Sequence, residues 1–267
     1  MKIDRRKFLK MAGFTGIGLG LSAADLLFKD TAEASSGHSA VSTAAVRRAM
    51  VIDARKLKTD EDYKRIVDAC HSIHNVPTLI PEKDTIKHEI KWIWTDTYNH
   101  LFPDQVNYYH PDAFKQKQFP LLCNHCEHPP CVRVCPTKAT FKRPDGIVQQ
   151  DMHRCIGCRF CMAACPFGAR SFNFVDPRPY ITKLNGEYPT RTMGVVEKCT
   201  FCSERLEKGL EPACVEASNG ALVFGNLNDP ESEVRKILKT HFTLQRKPEL
   251  GTMPSVFYVI GGDEYAG

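Results

Sequence analysis

Cys155-Ile156-Gly157-Cys158-Arg159-Phe160-Cys161-Met162-Ala163-Ala164-Cys165-Pro166 is the stretch that decides the fold of this chain. Its cysteines read C-x2-C-x2-C-x3-C and a proline follows. A second run upstream, Cys123, Cys126, Cys131 and Cys135, reads C-x2-C-x4-C-x3-C and is closed by Pro136. Three thiolates on one tight loop can grip three irons of a cubane, while the fourth iron points away and needs a ligand from a distant segment. The trailing proline stops the loop and redirects the chain. The chain holds 12 cysteines in all, the number of thiolates that three four-iron clusters require.

Both runs have the spacing of bacterial ferredoxins, in which the last cysteine of each run ligates the cluster of the other. That resemblance implies one cluster on Cys123, Cys126, Cys131 and Cys165, and a second on Cys155, Cys158, Cys161 and Cys135. Zinc is the competing metal, but zinc ribbons use separated C-x2-C pairs rather than four-cysteine runs ending in proline. Soft thiolates at this spacing favour iron–sulfur, and no zinc is expected. Disulfides are the other alternative.

Four cysteines remain: Cys70, Cys199, Cys202 and Cys214. Cys199-Thr200-Phe201-Cys202 and Cys214 make three-quarters of another run, whose fourth member would fall at Ser218. Cys70 stands alone, followed by Asn75 and Pro77. Here the chain resembles the four-motif iron–sulfur subunits of membrane-associated oxidoreductases, which pair motif one with motif four and motif two with motif three. Cys70 to Pro77 is similar to the end of motif one with one extra residue. Val51-Ile52-Asp53 is similar to its opening, with Leu57 where the first cysteine would stand. The resemblance implies a third cluster on Cys199, Cys202, Cys214 and Cys70. It also implies the loss of a fourth as a unit, with Leu57 and Ser218 at two of its ligand places. Taken alone, Cys70 also reads as a buried, inert cysteine. Tyr63, Ile66 and Val67 have helical spacing, so a short helix between Thr59 and Ala69 is expected to plug the lost site.

The N-terminus carries an address. Arg5-Arg6 within Asp4 to Lys10 resembles the twin-arginine export motif, followed by a Gly-rich apolar stretch and a cleavage site at Ala32-Glu33-Ala34. Retention of the segment as an anchor is the alternative. Export of a folded protein reconciles so many cysteines with an oxidising destination, and the expected location is the periplasm or the outer face of the cytoplasmic membrane. The formal charge is +5, of which +3 falls beyond residue 34. That is too small to argue for nucleic-acid binding, and there is no basic–aromatic stripe. No other stretch is long enough to span a bilayer, so membrane association is expected mainly through partners.

The expected fold class is α+β: two interleaved dicluster ferredoxin-like domains with an aromatic-rich insertion and one of four cluster sites lost. The expected boundaries are 1–34 for the signal segment, 119–181 for a dicluster domain, and 35–118 with 182–267 for a discontinuous outer domain. Cys135-Pro136-Thr137-Lys138-Ala139 repeats as Cys165-Pro166-Phe167-Gly168-Ala169, with a degenerate copy at Ser218-Asn219-Gly220-Ala221. Each copy predicts a ligand loop, a short helix and a strand, such as 146–149 or 170–175. Trp92, Trp94, Tyr98, Phe102, Tyr108, Tyr109, Phe114 and Phe119 read as a layer covering the core or as a partner-binding face. A peripheral helix is also expected over 229–240 and a strand over 256–260.

No C-x-x-C-H haem motif occurs, since Glu127, Arg159 and Ser203 follow the relevant cysteines, and no phosphate-binding glycine loop is present. His71, His74, His125, His128 and His153 read as supporting donors or surface residues. Arg133, Arg154, Arg159 and Arg170 read as charges that raise cluster potential or as solvated surface. With every iron ligated by cysteine there is no open substrate position, so no catalytic residue is expected. The expected role is an electron relay rather than an enzyme. Within the four-motif family the chain most resembles the DsrO-type subunits of the sulfite-reduction-associated transmembrane complex. That resemblance implies a multi-pass quinone-binding membrane subunit and a multihaem cytochrome c as partners, and a place in sulfur metabolism. The alternatives are the electron-transfer subunit of an exported molybdenum oxidoreductase and a free soluble polyferredoxin.

Overall fold

The computed structural model describes residues 46–78, 89–106 and 108–261. The export motif and its cleavage site lie outside the described residues. The largest sheet has four strands in the order Leu222–Asn226, Arg48–Asp53, Val256–Val259, Thr243–Leu244. Arg48–Asp53 runs parallel to Val256–Val259 and antiparallel to Leu222–Asn226.

Arg48–Asp53 is buried on both faces, and its side chains alternate between them as strand geometry requires. Met50 and Ile52 enter the main core beside Leu57, Ile66, Ala221 and Tyr258. Ala49 and Val51 face a smaller core with Leu227, Val234 and Val259. The helix Glu233–Thr240 covers that second face with Val234, and with Ile237 and Leu238 half-buried. It begins four residues later than the sequence pattern suggests because Asp229 and Ser232 are spent on a turn: the Ser232 N–H donates to the Asp229 carbonyl, and Ser232 Oγ accepts from Asn226 N–H at 3.1 Å.

The helix Asp60–Ile73 follows Leu57 directly. Thr59 caps it reciprocally with Asp62, satisfying N-terminal N–H groups that have no partner within the helix. It buries Tyr63, Ile66 and Cys70. Arg65 Nε donates to the Ala217 carbonyl at 2.7 Å and Lys56 Nζ to the Gly220 carbonyl at 2.9 Å. The segments carrying Leu57 and Ser218 are therefore neighbours, and both residues are buried. Ser218 Oγ donates to the Val215 carbonyl and accepts from Leu222 N–H, so it is satisfied as a turn former.

Around the two cysteine runs the elements are short. Helices Pro130–Arg133 and Phe160–Ala163 follow the ligand loops, and the strands are Thr140–Lys142, Val148–Gln150, Ser171–Phe172 and Val196–Glu197. The expected 170–175 strand is reduced to Ser171–Phe172: Asn173 still bonds the partner segment at Val195 and Glu197, but the Phe174 N–H turns back to the Phe172 carbonyl at 3.1 Å. Most of the aromatic insertion is a covering layer. Trp92, Tyr98, Phe102 and Phe119 are buried, and the last two pack on Tyr258. Tyr108 and Tyr109 depart from this, being 89% and 90% exposed. Among the described residues no helix is long and apolar enough to cross a membrane.

Candidate iron–sulfur centres

The C-x-x-C loops share a backbone device. The residue before the second cysteine is left-handed in each: His125 at φ 40°, Gly157 at φ 68° and Phe201 at φ 53°. Side chains rarely adopt this conformation, so each loop needs support. Phe201 is locked by stacking on His125, with ring centroids 3.7 Å apart, and by an edge contact to Phe224. Gly157 needs to be glycine twice over, because a Cβ there would lie 2.4 Å from the Gly194 carbonyl oxygen. The Gly157→Ala protein is expected to lose at least about 1–2 kcal/mol from left-handed strain alone. Urea unfolding checks this, and an unchanged midpoint would contradict it.

One of these turns and two neighbouring strands aim N–H groups at sulfur. Phe201 N–H donates to Cys199 Sγ at 3.4 Å, Thr140 N–H to Cys135 Sγ at 3.4 Å, and Val196 N–H to Cys155 Sγ at 3.5 Å. Such donors favour the thiolate. At Cys135, burial pushes the thiol pKa up, but hydrogen bonds from Thr140 and Thr137 outweigh it and the net shift is downward.

The fold gathers the thiols into three groups. Cys123, Cys126, Cys131 and Cys165 line one pocket with Pro130, Pro166, Phe167 and Arg170. Cys135, Cys155, Cys158 and Cys161 line another with Thr137, Ile156 and Val196. Cys70, on the helix Asp60–Ile73, lies close enough to Cys214, Cys199 and Cys202 for their charges to oppose its ionisation. All four of these last thiols are buried. None of the twelve cysteines is in a disulfide.

Burial pushes the Cys126 and Cys214 thiols up to about 12, and it raises Cys70, Cys161, Cys165, Cys199 and Cys202 as well. Neighbouring thiols add to this at Cys126 and Cys214. In the Cys70 group all four converging thiols resist ionisation unaided, which suits a bound metal whose positive charge would hold them as thiolates.

The groups adjoin one another. Cys161 feels the charge of Cys131, and Cys199 that of Cys123. The Cys123 group therefore adjoins each of the other two.

Of the five histidines, His128 and His153 are exposed. His74 is buried, with Nδ1 2.9 Å from the Cys70 carbonyl and Nε2 2.8 Å from Glu204 Oε1. His71 Nε2 lies 3.2 Å from the Ile93 carbonyl. His125 Nδ1 accepts from Val148 N–H at 3.0 Å. Of the four arginines, Arg133, Arg154 and Arg159 are exposed, whereas Arg170 is buried against the thiols.

Sequence reasoning missed two buried features. Lys198 is wholly enclosed, its Nζ donating to the Val148 carbonyl and, at 2.7 Å, to the Cys199 carbonyl. Glu197 is equally enclosed, accepting from Trp92 Nε1 at 2.7 Å, from Asn173, and from Arg191 Nη2 at 2.7 Å. Arg191 also donates to the carbonyls of His74 and Asn75. This network ties the end of the Cys70 helix to the segment that leads into Cys199. The one signal in sequence was position, since Glu197-Lys198 immediately precedes Cys199.

A family model described as "4Fe-4S dicluster domain" matches residues 114–178. The chain is 58% identical over 160 residues to the Hdr-like menaquinol oxidoreductase iron-sulfur subunit 1 of Archaeoglobus fulgidus, covering 56% of this chain and 60% of that one. It is 47% identical over 143 residues to one subunit of the tetrathionate reductase of Salmonella typhimurium, covering 52% and 50%. It therefore spans only about half to three-fifths of those two relatives. A longer match, 40% over 216 residues, is to the menaquinone reductase iron-sulfur cluster-binding subunit of Nitratidesulfovibrio vulgaris, covering 72% of this chain and 81% of the relative. A dicluster domain, twelve converging thiols and that long match lead to one conclusion: this protein belongs to the ferredoxin-like iron–sulfur subunits that transfer electrons for oxidoreductase complexes and are not their catalytic subunits.

Proposed function

We propose that the chain relays single electrons through three [4Fe–4S] clusters set in a row. The Cys123, Cys126, Cys131 and Cys165 cluster is central. It is flanked on one side by the cluster of Cys155, Cys158, Cys161 and Cys135, and on the other by that of Cys199, Cys202, Cys214 and Cys70. The observation that carries this is the convergence of distant cysteines: Cys165 joins the cavity of Cys123, Cys135 that of Cys155, and Cys70 the thiols of Cys199. Each cluster, when bound, takes up and returns one electron. The chain's own contribution is to exclude water, fix the thiols on short rigid loops and aim N–H groups at sulfur, which raises and tunes potential. The helix Asp60–Ile73, with Leu57 and Ser218, fills the place of a lost fourth cluster. The apolar burial of Tyr63 and Ile66 supports that reading.

In the cell we assign the chain to an exported complex at the outer face of the cytoplasmic membrane, reached by the twin-arginine route. A quinone-interacting membrane subunit and a cytochrome c or other redox subunit are its partners. The menaquinol oxidoreductase and menaquinone reductase relatives support the quinone partner. The polysulfide reductase of Wolinella succinogenes has a polypeptide 44% identical to this one over 139 residues, which supports a role in sulfur metabolism.

Anaerobically purified protein is expected to hold about twelve irons, four per cluster. A value near eight would remove the third centre, and one near sixteen would restore the fourth. Purification of the chain alone, with no membrane subunit retained in mild detergent, would instead favour a free carrier.

A further inference from the structure

Two cations are buried among the thiols with no carboxylate to meet them. Lys198 is 0% exposed and Arg170 5%. Among the described residues neither forms a salt bridge. Arg170 Nη1 donates to Thr140 Oγ1 at 3.2 Å and Gln150 Oε1 at 3.0 Å, while its Nη2 is buried without a partner. Lys198 reaches only the carbonyls of Val148 and Cys199. Their placement follows the row of centres. Arg170 is in electrostatic contact with Cys131, Cys161 and Cys123, at the junction of the central and Cys155 groups. Lys198 is in contact with Cys123, Cys199 and Cys131, at the junction of the central and Cys199 groups. Both cations share Cys123 and Cys131, and Arg246, also buried, faces Cys165, so the central group has three cations; the Cys155 group shares Arg170, and the Cys199 group has Lys198 and Arg205, the latter paired with Glu216.

A buried charge without a countercharge is expensive to keep. These two also repel each other, since the charge of Arg170 opposes that of Lys198. The countercharge that balances them is the net negative charge of a thiolate-bound cluster, which grows by one on reduction.

We propose that Arg170 and Lys198 are tuning residues that raise the reduction potential of the central cluster above that of either neighbour. The electron is then held most stably in the middle of the row and released to either end. Neither side chain exchanges a bond or an electron; each acts by its charge, in a medium where charge is weakly screened.

This rests on the cluster assignment above, and the test separates the two. The full-length protein, purified anaerobically, is compared with Lys198→Gln, Arg170→Gln and the double variant by iron analysis and by redox titration followed by electron paramagnetic resonance. Glutamine keeps a donor for the Val148, Cys199 or Thr140 oxygen while removing the charge. Iron content is expected to be unchanged. One signal should move to lower potential in both single variants and further in the double, and that shared signal identifies the central cluster. Lys198→Arg and Arg170→Lys should leave it in place. Full iron content with no shared shift would overturn the proposal. So would loss of iron from the glutamine variants while the charge-preserving ones remain loaded, since the residues would then serve assembly. The wild-type iron count alone reports on the three-cluster reading. The shared shift requires only the Cys123 centre and its two neighbours' cations, so a missing third cluster would not mask the Arg170 arm.

Discussion

Cys70→Ala protein is expected to hold about eight irons in place of about twelve, and to retain the spectrum of the two centres built from Cys123 to Cys165. The loss should fall on the cluster of Cys199, Cys202 and Cys214, which lie far along the chain from Cys70 but share its buried environment. Stability should fall with it, because a structural metal centre contributes its binding free energy to folding. The unfolding midpoint of Cys70→Ala should therefore fall below that of the unmodified protein. Retention of the full iron complement by Cys70→Ala would make Cys70 a plain core residue and remove the third centre as assigned.

The second large effect concerns the Arg191–Glu197 pair. Both side chains are essentially inaccessible, and Arg191 alone among the described cations bonds Glu197. Arg191→Met leaves a carboxylate buried without its partner, and breaking such a pair costs about 3–5 kcal/mol. It also strips the His74 and Asn75 carbonyls of a donor. The urea midpoint at which cluster absorbance bleaches should fall accordingly. Arg191→Met combined with Glu197→Gln should recover part of the loss, since the uncompensated charge is gone. A double variant no more stable than the single would show that lost hydrogen bonds, not the orphaned charge, dominate.

What could be read in the sequence follows from how local each signal is. Cysteine spacing is local, and it marks the ligand loops; which distant cysteine joins which loop is not in the spacing and came only from the family resemblance. The apolar–Asp opening Val51-Ile52-Asp53 and the helical spacing of Tyr63, Ile66 and Val67 are also local, and a strand and a helix formed there. The helix ran on to Ile73 because the cap at Thr59 starts it cleanly and Cys70 continues its buried face. By contrast, nothing in Lys198 or Arg191 distinguishes them from solvated surface residues, the usual fate of their type. Their burial is decided by long-range packing against Val148, Trp92 and Asn75. Phe201 in a left-handed turn breaks a local preference outright, and its stack on His125 and edge contact to Phe224, both from distant segments, explain it. Three of four candidate arginines stayed at the surface for the ordinary reason, and only Arg170 followed its strand inward.

The parallel pairing of Met50–Asp53 with Val256–Val259 bears on the order of events during synthesis. The two strands that lie side by side are more than 200 residues apart in the chain. A nascent polypeptide therefore cannot complete its main sheet until residue 259 has cleared the ribosome. Pairings of such wide separation also form slowly. Until then the core around Met50 and Ile52 lacks Val256 and Tyr258. The two central cysteine runs, by contrast, emerge together and need only each other. Cluster loading can thus begin at the middle of the chain while its ends are still apart, and closure of the sheet becomes the last, checkpoint-like step before the protein is compact.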